Sequence, residues 1–150
     1  MSFSDQINND IKEAMKAKDK DRLNALRAVK SALLLAATEK GVEGGVSDDV
    51  AMKSLQKLLK QREDSAALYK EQGRADLAEE ELAQASILKE YMPEAMSDDE
   101  LDSAVKAIIA ETGAEGMKDM GKVMGIASKK FAGRADGKAI ADKVKALLGA

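Results

Sequence analysis

The sequence predicts an all-α protein, and three observations support that prediction. Ala, Leu, Lys, Glu and Met dominate the 150 residues, whereas aromatic residues make up only 3% and there is one proline; this mixture favours helices over strands. Hydrophobic residues make up 45%, enough for a core. Apolar residues recur every three or four positions along the chain. Residues 93–96 resemble a linker, which divides the chain into two predicted helical subdomains, residues 1–93 and 94–150.

The first subdomain is predicted to be a bundle of about four helices that includes a long helical pair. The first helix, about residues 4–18, carries a stripe made of Phe3, Ile7, Ile11 and Met15. The second, about residues 21–40, is apolar nearly all round between residues 31 and 37, where it contains Leu33, Leu34 and Leu35. A helix that is apolar on all sides is usually central, so this segment is expected to be buried.

The third and fourth helices follow a break at Gly41 to Gly45. Ser47 is a good N-cap for the third helix, about residues 48–72, and Gly73 ends it. The fourth helix runs over about residues 74–92, and Pro93 closes it. Inward-facing positions on the two helices include Leu55, Leu58, Ala66, Leu82 and Leu88.

The second subdomain is predicted to be a smaller bundle of three to four helices. A capping box at Ser97 and Glu100 opens a helix that reaches about Thr112. A sixth helix, about residues 117–131, has a stripe made of Met117, Met120, Met124, Ala127 and Phe131. Asp136 caps a seventh helix that continues to about Leu148.

The absence of two residue types excludes several classes of site. The chain has no Cys and no His, so it contains neither the ligands of zinc fingers and zinc hydrolases nor a Ser-His-Asp or Cys-His triad. No catalytic residue, cofactor or metal site is expected. The N-terminus does not resemble a signal peptide and no apolar run is long enough to span a bilayer. These features predict a cytoplasmic protein that has no membrane partner.

Charge is distributed unevenly along the chain. Residues 1–112 hold 16 Lys/Arg and 23 Asp/Glu, a net charge of −7, whereas residues 113–150 hold 8 and 4, a net charge of +4. On a helix, Lys118, Lys122 and Lys129 fall within about 40° of one another. A basic segment on an acidic body indicates a polyanion partner, although the residues alone favour an ordinary solvated lysine face.

Two further features have both a structural and a functional interpretation. Gly121 and Gly125 form a Gly-x-x-x-Gly; close packing of another backbone is favoured over the approach of an RNA backbone. Arg27 and Arg62 lie in or beside apolar stripes, where each is expected to form a structural ion pair, for example with Glu79, Glu80 or Glu81. The alternative is an anion site on the first subdomain.

Several segments together resemble the GatB/YqeY family, and specifically its free-standing YqeY-like members. They are RLNALRAVKSA (residues 22–32), KQREDS (60–65), GRADLA (73–78), LKEYMP (88–93), MKDMGKVMG (117–125) and GRADGK (133–138). The sequence departs from the family pattern at Met92 and in the apolar Leu33 to Leu35. The resemblance implies an all-helical protein with a break near Pro93. It also implies kinship with the C-terminal helical region of GatB, a subunit of the glutamine-dependent tRNA amidotransferase.

The resemblance implies that the protein contacts RNA through Lys118, Lys122, Arg134 and Lys138. It does not imply an active site. With it, binding of tRNA or another structured RNA becomes the favoured interpretation of the basic residues Lys118, Lys122, Lys129, Lys130, Arg134 and Lys138. No DNA partner is expected. One alternative is that the protein is a component or accessory of tRNA-dependent amidotransfer, which is a carbon–nitrogen ligase reaction. Its partner would then be an amidotransferase or an aminoacyl-tRNA synthetase. Another is a protein–protein adaptor that uses the acidic body or the methionines.

Overall fold

A computed structural model describes residues 2–41 and 45–149, and within these ranges the chain is helical and has no strand. The prediction of an all-α fold is confirmed. The chain divides into two compact units, Met1–Met92 and Pro93–Ala150. Each unit has its own cluster of buried apolar side chains.

The first unit contains four helices: α1 (Phe3–Ala17), α2 (Lys20–Lys40), α3 (Asp48–Glu71) and α4 (Ala75–Lys89). The long helix α3 packs on α4, and α2 contacts α1, α3 and α4. Ser2 starts α1 with a capping box that uses Asp5, and the Asp19 side chain accepts a hydrogen bond from the Arg22 N–H at the start of α2. The core contains Ile7, Leu26, Val29, Leu55 and Leu88.

Three predictions about this core are wrong. Leu82, expected to face inward, is 39% exposed, because it lies about 120° around α4 from the buried Leu88. Met15 is 54% exposed, and Ala14 is buried in its place, because a spacing of four residues advances the stripe by about 40° each time, so that Met15 has turned away from Phe3. In α2, Leu33 is buried, but Leu34 and Leu35 are 61% and 62% exposed. They follow Leu33 by about 100° and 200°, and no other described helix of the first unit covers that side of α2.

The second unit consists of α5 (Asp98–Thr112), a 3-10 turn (Met117–Asp119), α6 (Met120–Lys130) and α7 (Gly137–Gly149). The three helices surround a core that includes Val105, Ile108, Val123, Ile140 and Val144. The Ser97 hydroxyl accepts a hydrogen bond from the Glu100 N–H at 3.1 Å, and the Asp136 carboxylate accepts one from the Ala139 N–H at 2.7 Å.

The sixth helix begins later than predicted. Residues 117–119 form the 3-10 turn, where the Asp119 carboxylate accepts a hydrogen bond from the Glu115 N–H at 3.0 Å. Met117 is therefore 49% exposed, and Val123, which the methionine stripe did not include, is completely buried. The buried side of α6 consists of Val123 and Ala127, and Phe131 directly follows it.

Candidate nucleic-acid interface

The outward side of α6 carries lysines because its opposite side faces the core. Lys122 and Lys129 lie about 150° from the centre of the buried arc formed by Val123, Ala127 and Phe131. Lys118 is exposed in the preceding 3-10 turn. No Asp or Glu occurs in α6. These three exposed lysines, Lys118, Lys122 and Lys129, are referred to below as the lysine face.

Gly121 and Gly125 lie on the exposed side of α6, next to the lysine face. Apart from the local helix backbone, no described heavy atom lies within 4 Å of the position that a Cβ would take at either glycine. The expectation that they allow another helix of this chain to pack closely is therefore wrong. Ile126, which lies four residues after Lys122 and is 39% exposed, is a member of this surface that the apolar stripe did not identify.

Three further cations predicted for the site lie at the end of α6, between α6 and α7, and at the start of α7. Lys130 and Lys138 are exposed. Arg134 differs, because its Nε donates to the Glu94 carbonyl at 3.0 Å and its Nη2 lies 2.9 Å from a Glu100 carboxylate oxygen. The Arg134 carbonyl in turn accepts a hydrogen bond from the Met96 N–H at 2.9 Å. Arg134 thus fastens residues 94–100 to the segment between α6 and α7.

The second unit as a whole is not basic. Residues 93–150 contain 9 Lys/Arg and 10 Asp/Glu, a net charge of −1. The acids concentrate in α5, where Lys143 Nζ lies 3.0 Å from Asp98 and 3.7 Å from Asp102. The hydrogen bond to Asp98 raises the pKa of Lys143, and the hydrogen bond to Lys106 lowers the pKa of Asp102. Two of the eight cations in residues 113–150, Arg134 and Lys143, are therefore paired with α5.

The other six cations of this segment are exposed and have no carboxylate within 4.0 Å in the described part of the chain. They are Lys118, Lys122, Lys129, Lys130, Lys138 and Lys145. Lys145 was not among the predicted site residues, because it lies outside the family motifs. Its position in the same basic segment, residues 113–150, could have identified it. Charge in this unit is thus segregated between an acidic α5 and basic residues on and around α6 and α7.

The two arginines of the first unit have different surroundings. Arg62 Nη1 lies 3.7 Å from Glu81 Oε2, and both side chains are mostly buried. Arg62 Nε, Glu81 Oε2 and Gln84 Oε1 are buried without a hydrogen-bond partner. Arg27, for which an ion pair was also expected, is exposed and has no carboxylate within 4 Å among the described residues. The reason is its position about 100° beyond the buried Leu26.

Two other kinds of site are absent from residues 2–41 and 45–149. No group of three or more acidic side chains is arranged to hold a metal ion. No helix in the same residues is long and apolar enough to cross a membrane.

Comparisons with known proteins cover nearly the whole chain. A family model described as Yqey-like protein matches residues 4–148. Altered inheritance of mitochondria protein 41, mitochondrial, from Pyrenophora tritici-repentis is 30% identical over 148 residues, which are 97% of this chain and 80% of the relative. Proteins of the same name from Meyerozyma guilliermondii and Lachancea thermotolerans are 33% and 32% identical over 80% and 73% of this chain. The matches span 64% and 61% of these two relatives.

These names correct the expected cytoplasmic location, because each describes the relative as a mitochondrial protein. The expectation depended on finding neither a secretion signal nor a membrane span, and neither feature distinguishes the cytoplasm from the interior of an organelle. The family model and the relative from Pyrenophora tritici-repentis each cover both helical units. The chain therefore belongs to the Yqey-like protein family.

Proposed function

We propose that this protein binds structured RNA, with tRNA as the principal candidate, through the lysine face and its neighbours Lys130 and Lys138. The observation that carries the proposal is the grouping of exposed, unpaired lysines on α6, which contains no acidic residue, and in the turn just before it. Unpaired cations on one surface attract a polyanion because phosphate binding releases the counterions condensed on the nucleic acid. The imbalance is local, since the unit as a whole is slightly acidic.

The chemistry of these side chains favours phosphates over bases. Lysine ammonium groups are compact point charges, which bind phosphates but do not form the planar paired contacts by which arginine reads guanine. Phe131 is the nearest aromatic residue in sequence, and it is 3% exposed, so it offers no ring on which a base could stack. The site therefore recognises the shape and charge of a folded RNA backbone.

The two exposed glycines support this interpretation. Each glycine inside a helix lowers stability by about 1 kcal/mol relative to alanine, and neither Gly121 nor Gly125 relieves a contact within the described chain. Without side chains at these positions, α6 presents its backbone beside Lys122 and Lys129. A sugar-phosphate strand lying there would come closer to both ammonium groups.

A tRNA titration, followed by fluorescence anisotropy, tests the proposal. The triple variant K118E/K122E/K129E is expected to bind at least 100-fold more weakly than the wild type at about 100 mM salt, because attraction at three phosphates is replaced by repulsion. A matched control is K12E/K60E/K70E, which changes the net charge equally at exposed lysines of the first unit. The assignment of the site would be disproved if both variants lowered the tRNA affinity equally, or if neither variant lowered it.

Salt dependence gives a second measurement on the same proteins. Four to six phosphate contacts predict that wild-type affinity falls by about 100- to 1000-fold between 50 and 200 mM salt. The lysine-face variant is expected to show a slope smaller by about two to three contacts. An unchanged slope would place the phosphate contacts elsewhere.

A further inference from the structure

The C-terminal half of α2 presents a second surface that does not belong to the RNA site. Leu34 and Leu35 are 61% and 62% exposed although they are adjacent residues within a 21-residue helix. Adjacent large apolar side chains at this exposure are costly in water and mark interaction sites when they lie together. Because Leu33 supplies the core contact at this level of the helix, the fold does not need either of them.

The two leucines form a ridge between two depressions. Leu35 lines a groove of about 250 Å³ between α2 and α3, which Ala32, Ala36, Ser54, Leu58 and Gln61 also line. Leu34 lines a depression on the α1 side of α2, whose wall includes Ile7 and Leu33. A ridge with concave, largely apolar flanks fits a rounded element such as a helix and does not fit a flat bilayer surface.

The charged residues around the ridge are mostly positive. Lys53 and Lys57 line the groove beside Leu35, Lys30 lines the depression beside Leu34, and Glu39 is the one acid among the described residues that line either. Arg27 lies on the outer side of α2, within about 20° of Leu34. None of these four cations has a carboxylate within 4 Å in the described part of the chain. The rest of this unit is acidic, since residues 1–92 hold 15 Lys/Arg and 17 Asp/Glu.

We propose that this ridge docks an amphipathic helix of a partner protein, with carboxylates on both borders of its apolar stripe. The apolar residues of the partner would fill the groove beside Leu35, and its acids would face Lys30 on one side and Lys53 and Lys57 on the other. RNA is the poorer fit because phosphates would leave Leu34 and Leu35 unburied. A second copy of this chain, a membrane and RNA are the competing occupants that the experiment separates.

The experiment selects peptides on the full-length chain and then measures their affinity. The probe is a displayed library of 20-residue amphipathic helices that have Leu at positions i, i+3 and i+7 and bordering positions drawn from Glu, Lys and Ser. Selected peptides are expected to carry net negative borders. By anisotropy, L34E/L35E should weaken their binding at least tenfold and K53E/K57E about tenfold. The matched control, L68E, replaces a leucine that is 52% exposed on α3 and should bind like the wild type.

The opposite results would overturn the proposal. They are selection of no peptide, selection of basic peptides, or equal binding to L34E/L35E and wild type. Three parallel assays on L34E/L35E identify a different occupant: weaker binding to tRNA, weaker cosedimentation with phosphatidylglycerol vesicles, or loss of a dimer in sedimentation velocity. Circular dichroism melting of every variant is expected to match the wild type, because the substituted side chains are exposed.

Discussion

Arg134 Nη2 lies 2.9 Å from Glu100 Oε2 and thereby joins the segment after α6 to the first turn of α5. The Arg134 Nε also donates to the Glu94 carbonyl at 3.0 Å. The family resemblance implies RNA contact at this residue, yet its guanidinium already has partners within its own unit. We therefore assign Arg134 a positioning role, since it holds the segment that separates Lys130 from Lys138.

Replacing Arg134 separates positioning from phosphate contact. We expect R134A to lower the free energy of unfolding by about 1 kcal/mol, because it removes two hydrogen bonds that are partly exposed to solvent. Its tRNA affinity should fall less than threefold at a temperature well below its melting transition. Urea unfolding measures the stability and anisotropy measures the RNA affinity. The comparison variant K122E should keep the stability of the wild type and lose RNA affinity. Normal stability together with a tenfold loss of RNA affinity in R134A would make it a contact residue.

Gly121 and Gly125 provide a prediction in which stability and binding change in opposite directions. The double variant G121A/G125A should raise the free energy of unfolding by about 1–2 kcal/mol, because alanine favours the helix and a Cβ at either position meets open space. Its melting temperature should rise by several degrees. Its affinity for tRNA should fall, because two methyl groups would separate the backbone of α6 from the bound strand.

The control for this pair is S103A, which changes an exposed helical residue of α5 and should leave the RNA affinity unchanged. If G121A/G125A binds tRNA as tightly as the wild type, the glycines do not admit a nucleic-acid backbone. If it melts at a lower temperature, the two positions are more crowded than the structure indicates.

The pair formed by Arg62 and Glu81 yields a prediction about stability alone. The 3.7 Å separation is long, and Arg62 Nε and Glu81 Oε2 are buried without a hydrogen-bond partner. We expect R62M to destabilise the first unit by about 1–3 kcal/mol, because it leaves the Glu81 carboxylate mostly buried and unpaired. R62M/E81M should regain most of that loss, since apolar residues of similar size often replace such pairs without penalty.

Urea unfolding of the wild type, R62M, E81M and R62M/E81M measures the coupling free energy between these two residues. Additive losses in the double variant would show that the pair is not coupled. The sequence predicted this pair from an arginine within an apolar stripe, and the structure places Arg62 beside Glu81 of the predicted acidic cluster.

The limits of prediction from the sequence follow from what a periodic pattern measures. Caps are local, so the roles of Ser97 and Asp136 are readable from neighbouring residues. The pattern does not reveal how many helices surround a given helix, and for this reason Leu34 and Leu35 were expected to be buried. The same limitation applies to Arg27 and to the two glycines. Whether Arg27 forms an ion pair, and whether the glycines admit a close backbone, depends on whether another element of the chain lies opposite. The lysines of α6 were identifiable because their face is defined within one helix.

Tyr91 provides a prediction of pH dependence in the first unit. Its hydroxyl donates to the Asp10 carboxylate at 2.6 Å, and its ring meets Phe3 edge to face at a centroid distance of 6.2 Å. Burial and the hydrogen bond to Asp10 raise the pKa of Tyr91 to about 12, from 10.0. The folded state therefore retains the phenolic proton at a pH where the unfolded chain has lost it, so this contribution to stability is complete below about pH 10 and disappears as the pH rises to about 12.

The measurement is urea unfolding of the wild type and Y91F at pH 9, 10 and 11. Titration of the lysines affects both proteins alike, so the difference between them isolates Tyr91. We expect the wild type to be more stable by about 1 kcal/mol at pH 9 and this advantage to shrink steadily above pH 10. The decrease should be less than 1.36 kcal/mol per pH unit, because Tyr91 is half-buried and solvent screens its interaction with Asp10. A constant difference in stability across this range would contradict the prediction, because it would show that the phenol titrates equally in the folded and unfolded states.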